Sequence, residues 1–168
     1  MYKICKTEQS LKRQKLFQTT LLSLMEEKNY QDITVTSLCK EMDIPRKTFY
    51  RYFNFLDDVL DMILDEALIN SFLYLEITTD LTGYLNYWKK EKYLLDVLEK
   101  NGLSSLLVTK SQERLTALRK DGTMTNHDIM YSAYIAALFT ILLSWHHSGM
   151  QQSVEEITSL VYKMFRLN

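Results

Sequence analysis

The chain has 168 residues, of which 46% are hydrophobic and 24% charged, enough apolar mass for one compact body or a small head on a larger one, and too much for a disordered chain. The formal net charge of -1 conceals an asymmetry: residues 1–56 balance at +4 and residues 57–168 at -5. A basic head on an acidic body focuses positive potential at one end, and phosphates need only such a local patch. Cys5 and Cys39 lie far apart with no CxxC spacing, which reads as reduced thiols in a cytoplasmic protein rather than a disulfide. No signal peptide is visible behind the N-terminal lysines. The longest uncharged stretch, Ile129 to Trp145, is slightly short for a membrane span and carries Ser132, Thr140 and Ser144, so no membrane association is expected. Four glycines and one proline mean long helices with few corners. No period-2 β-branched run and no internal repeat is present, and the expected fold is all-α.

Residues 1–6 read as a flexible basic arm. A first helix is expected from about Glu8 to Lys28, capped by Thr7, with Phe17, Leu21, Leu24 and Met25 on one face. Lys12, Arg13 and Lys15 crowd its first half, as a solvated face or as phosphate contacts. Asn29 to Asp32 form a turn. Thr34 then caps a second helix in which Val35, Leu38, Cys39 and Met42 repeat with helical spacing. Asp43-Ile44 is a corner, and Pro45 suits the first position of a third helix. On a wheel of about 100° per residue, Arg46, Tyr50, Lys47 and Arg51 fall on one side of that helix, opposite Phe49 and Phe53. Arg can bond guanine bidentately, Lys supplies a point charge, and a Tyr hydroxyl can meet a phosphate.

The stretch Ile33-Thr34-Val35-Thr36, Leu38-Cys39-Lys40-Glu41-Met42-Asp43-Ile44 and Thr48-Phe49-Tyr50-Arg51-Tyr52-Phe53, followed by Asp57-Asp58-Val59-Leu60, resembles the DNA-binding head of the TetR/AcrR family of bacterial transcriptional regulators. The resemblance covers about residues 8 to 70. It implies a helix-turn-helix at about 34–53 inside an N-terminal DNA-binding domain, 1–55, and a C-terminal ligand-binding and dimerisation domain, 56–168. It further implies that Thr34, Thr36 and Tyr50 hold phosphates and that Arg46, Lys47 and Thr48 face the major groove. Arg51, from the cationic side of the wheel, and Tyr52, which the wheel places on the far side with Phe49, Phe53 and Pro45, complete the expected DNA-contacting set. Three positions depart from the family pattern: Glu41-Met42-Asp43 lacks the usual glycine at the corner, Pro45 replaces the usual serine, and Leu56 stands where many members carry lysine.

Beyond the head, a fourth helix from about Leu56 to Leu75 carries Val59, Leu60, Ile63, Leu64, Ala67 and Leu68 as its stripe, with Asp57, Asp58, Asp61 and Asp65 on its wet side. Thr79-Asp80 caps a fifth helix, and Lys89 to Lys92 is a hinge before a further apolar run that stops at Asn101-Gly102. A helix from Leu103 to about Arg119 ends at the link Lys120-Asp121-Gly122-Thr123. The next, about Asn126 to His147, is apolar nearly all round and must be covered on all sides. Ser153 to Glu156 has capping-box spacing and opens a last helix. Excess apolar surface on these two terminal helices predicts a four-helix interface between two copies, built from Ile135, Leu138, Leu142, Trp145, Ile157, Leu160, Val161 and Met164.

An aromatic effector pocket is expected around Tyr84, Trp88, Tyr131 and Tyr134. His127, His146 and His147 do not form a metal set, no cofactor motif is present, and no nucleophile or paired-carboxylate signature suggests an enzyme. The expectation is a homodimeric repressor that binds a pseudo-palindromic operator and answers to a small-molecule effector. The alternative is a co-activator on the same scaffold that docks a protein partner and reads no bases.

Overall fold

The computed structural model describes residues 2–3, 5–76, 80–117 and 125–165. Among them are nine α-helices: α1 Glu8–Glu27, α2 Val35–Glu41, α3 Arg46–Phe49, α4 Asp57–Glu76, α5 Leu81–Lys90, α6 Lys92–Lys100, α7 Ser105–Ala117, α8 Asn126–His147 and α9 Val154–Phe165, with a 3-10 turn at Tyr30–Asp32. No strand occurs among the described residues. Thr79, Leu118 and the link Lys120 to Thr123 lie outside them.

Local chemistry sets most of the boundaries. The Thr7 side chain accepts the Ser10 N–H at the start of α1, and Asp80 accepts that of Gly83 at the start of α5. Ser153 and Glu156 exchange bonds of 3.1 and 2.7 Å at the start of α9, the reciprocal capping box expected there. Thr125 and Asp128 form another at α8 that the sequence reading did not name. At the far end of α8, Gly149 adopts φ 79°, and its N–H and that of Met150 return to the carbonyls of His146 and Trp145, a left-handed helix stop that favours glycine.

The chain divides into two compact units, Met1–Ala67 with Val97–Asn101, and Leu68–Asp96 with Gly102–Asn168. The division falls inside α4 and α6. The first half of α4 is laced into the first unit: Tyr30 Oη donates to Asp57, Tyr2 Oη donates to Asp65 at 2.9 Å, and Lys15 pairs with Glu66 at 3.0 Å. Asn101 donates to the carbonyl of Met25 at 3.0 Å and accepts the N–H of Tyr30 at 2.7 Å, which holds the end of α6 to the end of α1. The core of this unit is the cluster of Phe17, Phe49 and Phe53, all fully buried, with ring centroids 5.4–5.5 Å apart.

One expectation for α4 is corrected here. Asp58 is buried rather than wet, because its carboxylate accepts the N–H groups of Asn54 at 2.7 Å and Phe55 at 3.2 Å. Burial by itself would raise this carboxyl, and those backbone donors help hold it below the usual carboxylate value.

In the second unit α7 packs on α8 and α5 on α9. Phe139 of α8 centres an aromatic core, with Trp88 at 5.8 Å, Tyr84 at 6.1 Å and Phe72 at 6.2 Å, each edge-on. The buried His146 places Nε2 2.8 Å from Asp96 of α6, and Lys92 approaches the same carboxylate at 2.6 Å. By length and composition α8 is also apolar enough to cross a membrane. Its packing on α7 and its buried Ile135, Leu138, Phe139, Leu142 and Trp145 are those of a bundle helix.

Candidate nucleic-acid interface

The reading element begins at Thr34, whose Oγ1 accepts the Ser37 N–H at 3.0 Å while Ser37 Oγ accepts the Thr34 N–H at 2.9 Å. This box starts α2, which buries Leu38 and Cys39 and leaves Thr34, Thr36 and Lys40 exposed. Burial pushes the Cys39 thiol up, with the Arg46 charge pulling weakly the other way, so this cysteine is an inert core residue.

The helix stops in a double-bonded corner: Asp43 N–H reaches Lys40 O at 3.1 Å, and Ile44 N–H reaches Cys39 O at 3.0 Å. That geometry requires a left-handed residue, and Asp43 supplies it at φ 49°. Aspartate tolerates the region better than most side chains, which explains how the corner forms without a glycine.

Pro45 occupies the cap position at φ -65° and ψ 142°, one residue earlier than expected, and α3 is only four residues long. A turn follows it: Tyr52 N–H bonds Phe49 O at 2.9 Å, a three-residue step that tightens the chain. The helical wheel therefore does not extend to Arg51, which lies in this turn. The sidedness survives because the anchors do. Phe49 and Phe53 are buried, Thr48 and Tyr52 are half-buried, and Arg46, Lys47, Tyr50 and Arg51 are exposed.

Tyr50 organises the exposed side. Its hydroxyl accepts Arg46 Nη2 at 3.1 Å, and the guanidinium carbon lies 5.9 Å from its ring centroid. The bond to Tyr50 strengthens the hold on the Arg46 proton. The Tyr52 ring lies 5.9 Å from Phe17, so half of this residue serves the core. No carboxylate among the described residues pairs with Arg46, Lys47 or Arg51. Lys12 and Lys15, in contrast, pair with Glu8 at 2.6 Å and Glu66 at 3.0 Å.

Lys3 is a neighbour of this site that the sequence reading missed. Its Nζ donates to Tyr50 O at 2.8 Å, its N–H donates to Tyr52 O at 3.1 Å, and its own carbonyl accepts Gln14 Nε2 at 2.8 Å. The arm expected to be flexible is docked at this residue. Contacts between positions nearly fifty residues apart leave no periodic signal in a sequence.

The other expected sites fare differently. Of the four expected pocket residues, Tyr84 and Trp88 are fully buried around Phe139, while Tyr131 and Tyr134 line an open groove of about 500 Å³ with His127, Met130, Ala133 and Phe165. Of the residues expected between two copies, Ile135, Leu138, Leu142, Trp145, Ile157 and Val161 are buried inside the single chain. A side chain enclosed in its own chain has little surface left to offer a partner. Leu160 and Met164 remain 56% and 62% exposed. Among the described residues no group of His, Cys, Asp or Glu could hold a metal ion.

No protein-family model matches the chain, and no curated protein matches it in sequence. A solved structure described as dihydroxyacetone kinase operon activator DhaS is similar to it with a TM-score of 0.54, over 90% of this chain and 92% of that one, at 19% sequence identity. At that identity the likeness establishes a shared all-α fold.

Proposed function

We propose that this chain is a homodimeric, TetR-like transcriptional regulator of the cytoplasm that reads a pseudo-palindromic DNA operator through α2, α3 and the turn behind it. The observation that carries the reading is the exposed set Arg46, Lys47, Tyr50 and Arg51, held out by the buried Phe49 and Phe53 and left without carboxylate partners among the described residues. Arg46 and Lys47 are suited to base edges in the major groove, and Thr36, Tyr50 and Arg51 to phosphates. Thr34 Oγ1 accepts the Ser37 N–H, which fixes the hydroxyl in place and leaves its proton to donate to a phosphate. Two-fold pairing of copies would set two such elements one helical turn or more apart, matching the symmetry of the operator.

Pairing is supported by apolar side chains left outward on the terminal helices: Met130 of α8, 73% exposed, with Leu160 and Met164 of α9. A small-molecule effector would act by shifting the population between two settings of α4, and so the spacing of the two reading elements. Repression by operator occupancy is the simplest output of such a device, while the protein with the similar structure is described as an activator.

A mobility-shift titration against the DNA upstream of its own gene, at two salt concentrations, tests the reading. Arg46→Ala with Lys47→Ala should weaken operator binding by roughly a hundred-fold or more and flatten the salt slope, with thermal stability unchanged.

The second reading is a co-activator that docks a protein partner, favoured by the four-residue length of α3 and by the activator description of the similar structure. It requires that the wild-type protein, folded and dimeric, prefer its upstream DNA no more than random DNA, and that the double variant keep its partner.

A further inference from the structure

A four-residue helix cannot hold itself: isolated helices shorter than about 12 residues are marginal in water. The carbonyls leaving its C-terminal end also need partners. α3 is such a helix, and its exit turn is where Tyr50 and Arg51 are presented. Two carbonyls of that turn are satisfied by one residue of the N-terminal arm. Lys3 Nζ donates to Tyr50 O at 2.8 Å, and Lys3 N–H donates to Tyr52 O at 3.1 Å.

Lys3 is itself fixed from behind. The buried Gln14 of α1 donates Nε2 to the Lys3 carbonyl at 2.8 Å, and the preceding Tyr2 donates its hydroxyl to Asp65 of α4 at 2.9 Å. The arm thus ties α1 and α4 to the turn. A cation at the C-terminal end of a helix also meets the negative end of its dipole. The opposite end of Tyr50 carries the Arg46 guanidinium on its hydroxyl, so Lys3 and Arg46 grip the same residue through its backbone and its side chain.

We propose that Lys3 is a positioning residue for nucleic-acid recognition: it clamps the Tyr50–Tyr52 turn, and through Tyr50 sets the orientation of the Arg46 guanidinium. This rests on the reading that α3 and its turn meet DNA. The Lys3 ammonium bonds the Tyr50 carbonyl and so acts on the turn; its remaining N–H donors could also meet a phosphate, and the salt slope separates that role from the clamp.

Two measurements on the full chain test the clamp. The first is amide hydrogen exchange of the free protein, comparing wild type, Lys3→Ala and Lys3→Arg. Lys3→Ala should speed exchange at Arg51, Tyr52 and Phe53 by roughly five-fold or more, and Lys3→Arg, which keeps the backbone and a charged donor, should restore most of the protection. The second is titration with the upstream DNA at two salt concentrations. Lys3→Ala should weaken binding roughly 3- to 10-fold with the salt slope unchanged, and Lys3→Arg should recover the affinity.

Unchanged exchange in Lys3→Ala overturns the clamp. So does a salt slope lowered by about one with exchange unchanged, which would make Lys3 a direct phosphate contact. If the wild type shows no DNA preference, the DNA reading fails, and with it the role in recognition. The exchange result still decides separately whether Lys3 orders the turn.

Discussion

The head and the terminal helices of the body solve the same packing problem and leave opposite surfaces behind. In the head, Phe17, Phe49 and Phe53 form the core, and the side chains outward on α3 and its turn, Arg46, Lys47, Tyr50 and Arg51, are cationic and hydroxylic, although Leu11, Leu16 and Phe55 also stay exposed. In α8 and α9, Phe139, Ile135, Leu142, Ile157 and Val161 fill the core, and what remains outward includes Met130, Leu160 and Met164. A charged remainder suits a polyanion whose counterions can be displaced. An apolar remainder suits a second apolar surface. The two faces should therefore fail independently, one through charge and salt, the other through oligomeric state.

The sharpest way to break the comparison is to remove a core shared by everything in the head. Phe17→Ala should cost about 3–5 kcal/mol in denaturant unfolding, because three aromatic contacts and their cavity are lost together. If it costs under about 1 kcal/mol, the ring cluster is not what holds the reading element out.

Next in size is the apolar face. Leu160→Glu with Met164→Glu should shift a dimer to monomer by sedimentation velocity at micromolar concentration, since exposed apolar anchors of an interface typically cost about 2 kcal/mol each when they are hot spots. Both residues point outward, so helicity should be unaffected. A variant that stays dimeric would move the interface elsewhere.

Asp58 separates the two regions by pH. Its folded carboxyl lies below the unfolded value, so its contribution is fully present above the ordinary aspartate range and is lost as pH falls through the depressed folded value. Asp58→Asn should cost about 1 kcal/mol at neutral pH, as capping carboxylates do. It should also make the acid limb of the stability curve shallower. An equally steep limb in the variant would assign acid lability to other carboxylates.

The smallest expected effect is a gain. Asp43→Gly relieves the left-handed strain at φ 49° and should stabilise the chain by about 0.5–1 kcal/mol. A loss on this substitution would mean that the aspartate side chain supports the corner.

Much of the helical layout was legible in the sequence. The limits of α8 fall at Asn126 and His147 as expected, Gly149 ends it, and the Ser153–Glu156 box opens α9. The sidedness of α3 was legible too, because Phe49 and Phe53 are spaced to share a face. The length of α3 was not, since the turn at Tyr50–Tyr52 depends on how Phe53 must reach Phe17.

Which side of α8 faces its own chain was not legible for a related reason. A helix apolar nearly all round has no periodicity to say which side faces its own chain, so Leu138 and Leu142 were grouped with Leu160 and Met164. Only the packing of α7 on α8 and α5 on α9 separated them.

What the sequence determined by itself is whatever short-range chemistry decides: the all-α class, the caps, the stops at glycine, and the charge contrast between head and body. These depend on residues within a turn or two of each other. The tertiary structure decided what depends on distant partners: the burial of Asp58, the docking of Lys3 on Tyr50 and Tyr52, and the choice of which apolar side chains stay outside. A hydrogen bond or contact between residues far apart in the chain exists only once the core has fixed both ends, and no local pattern encodes it.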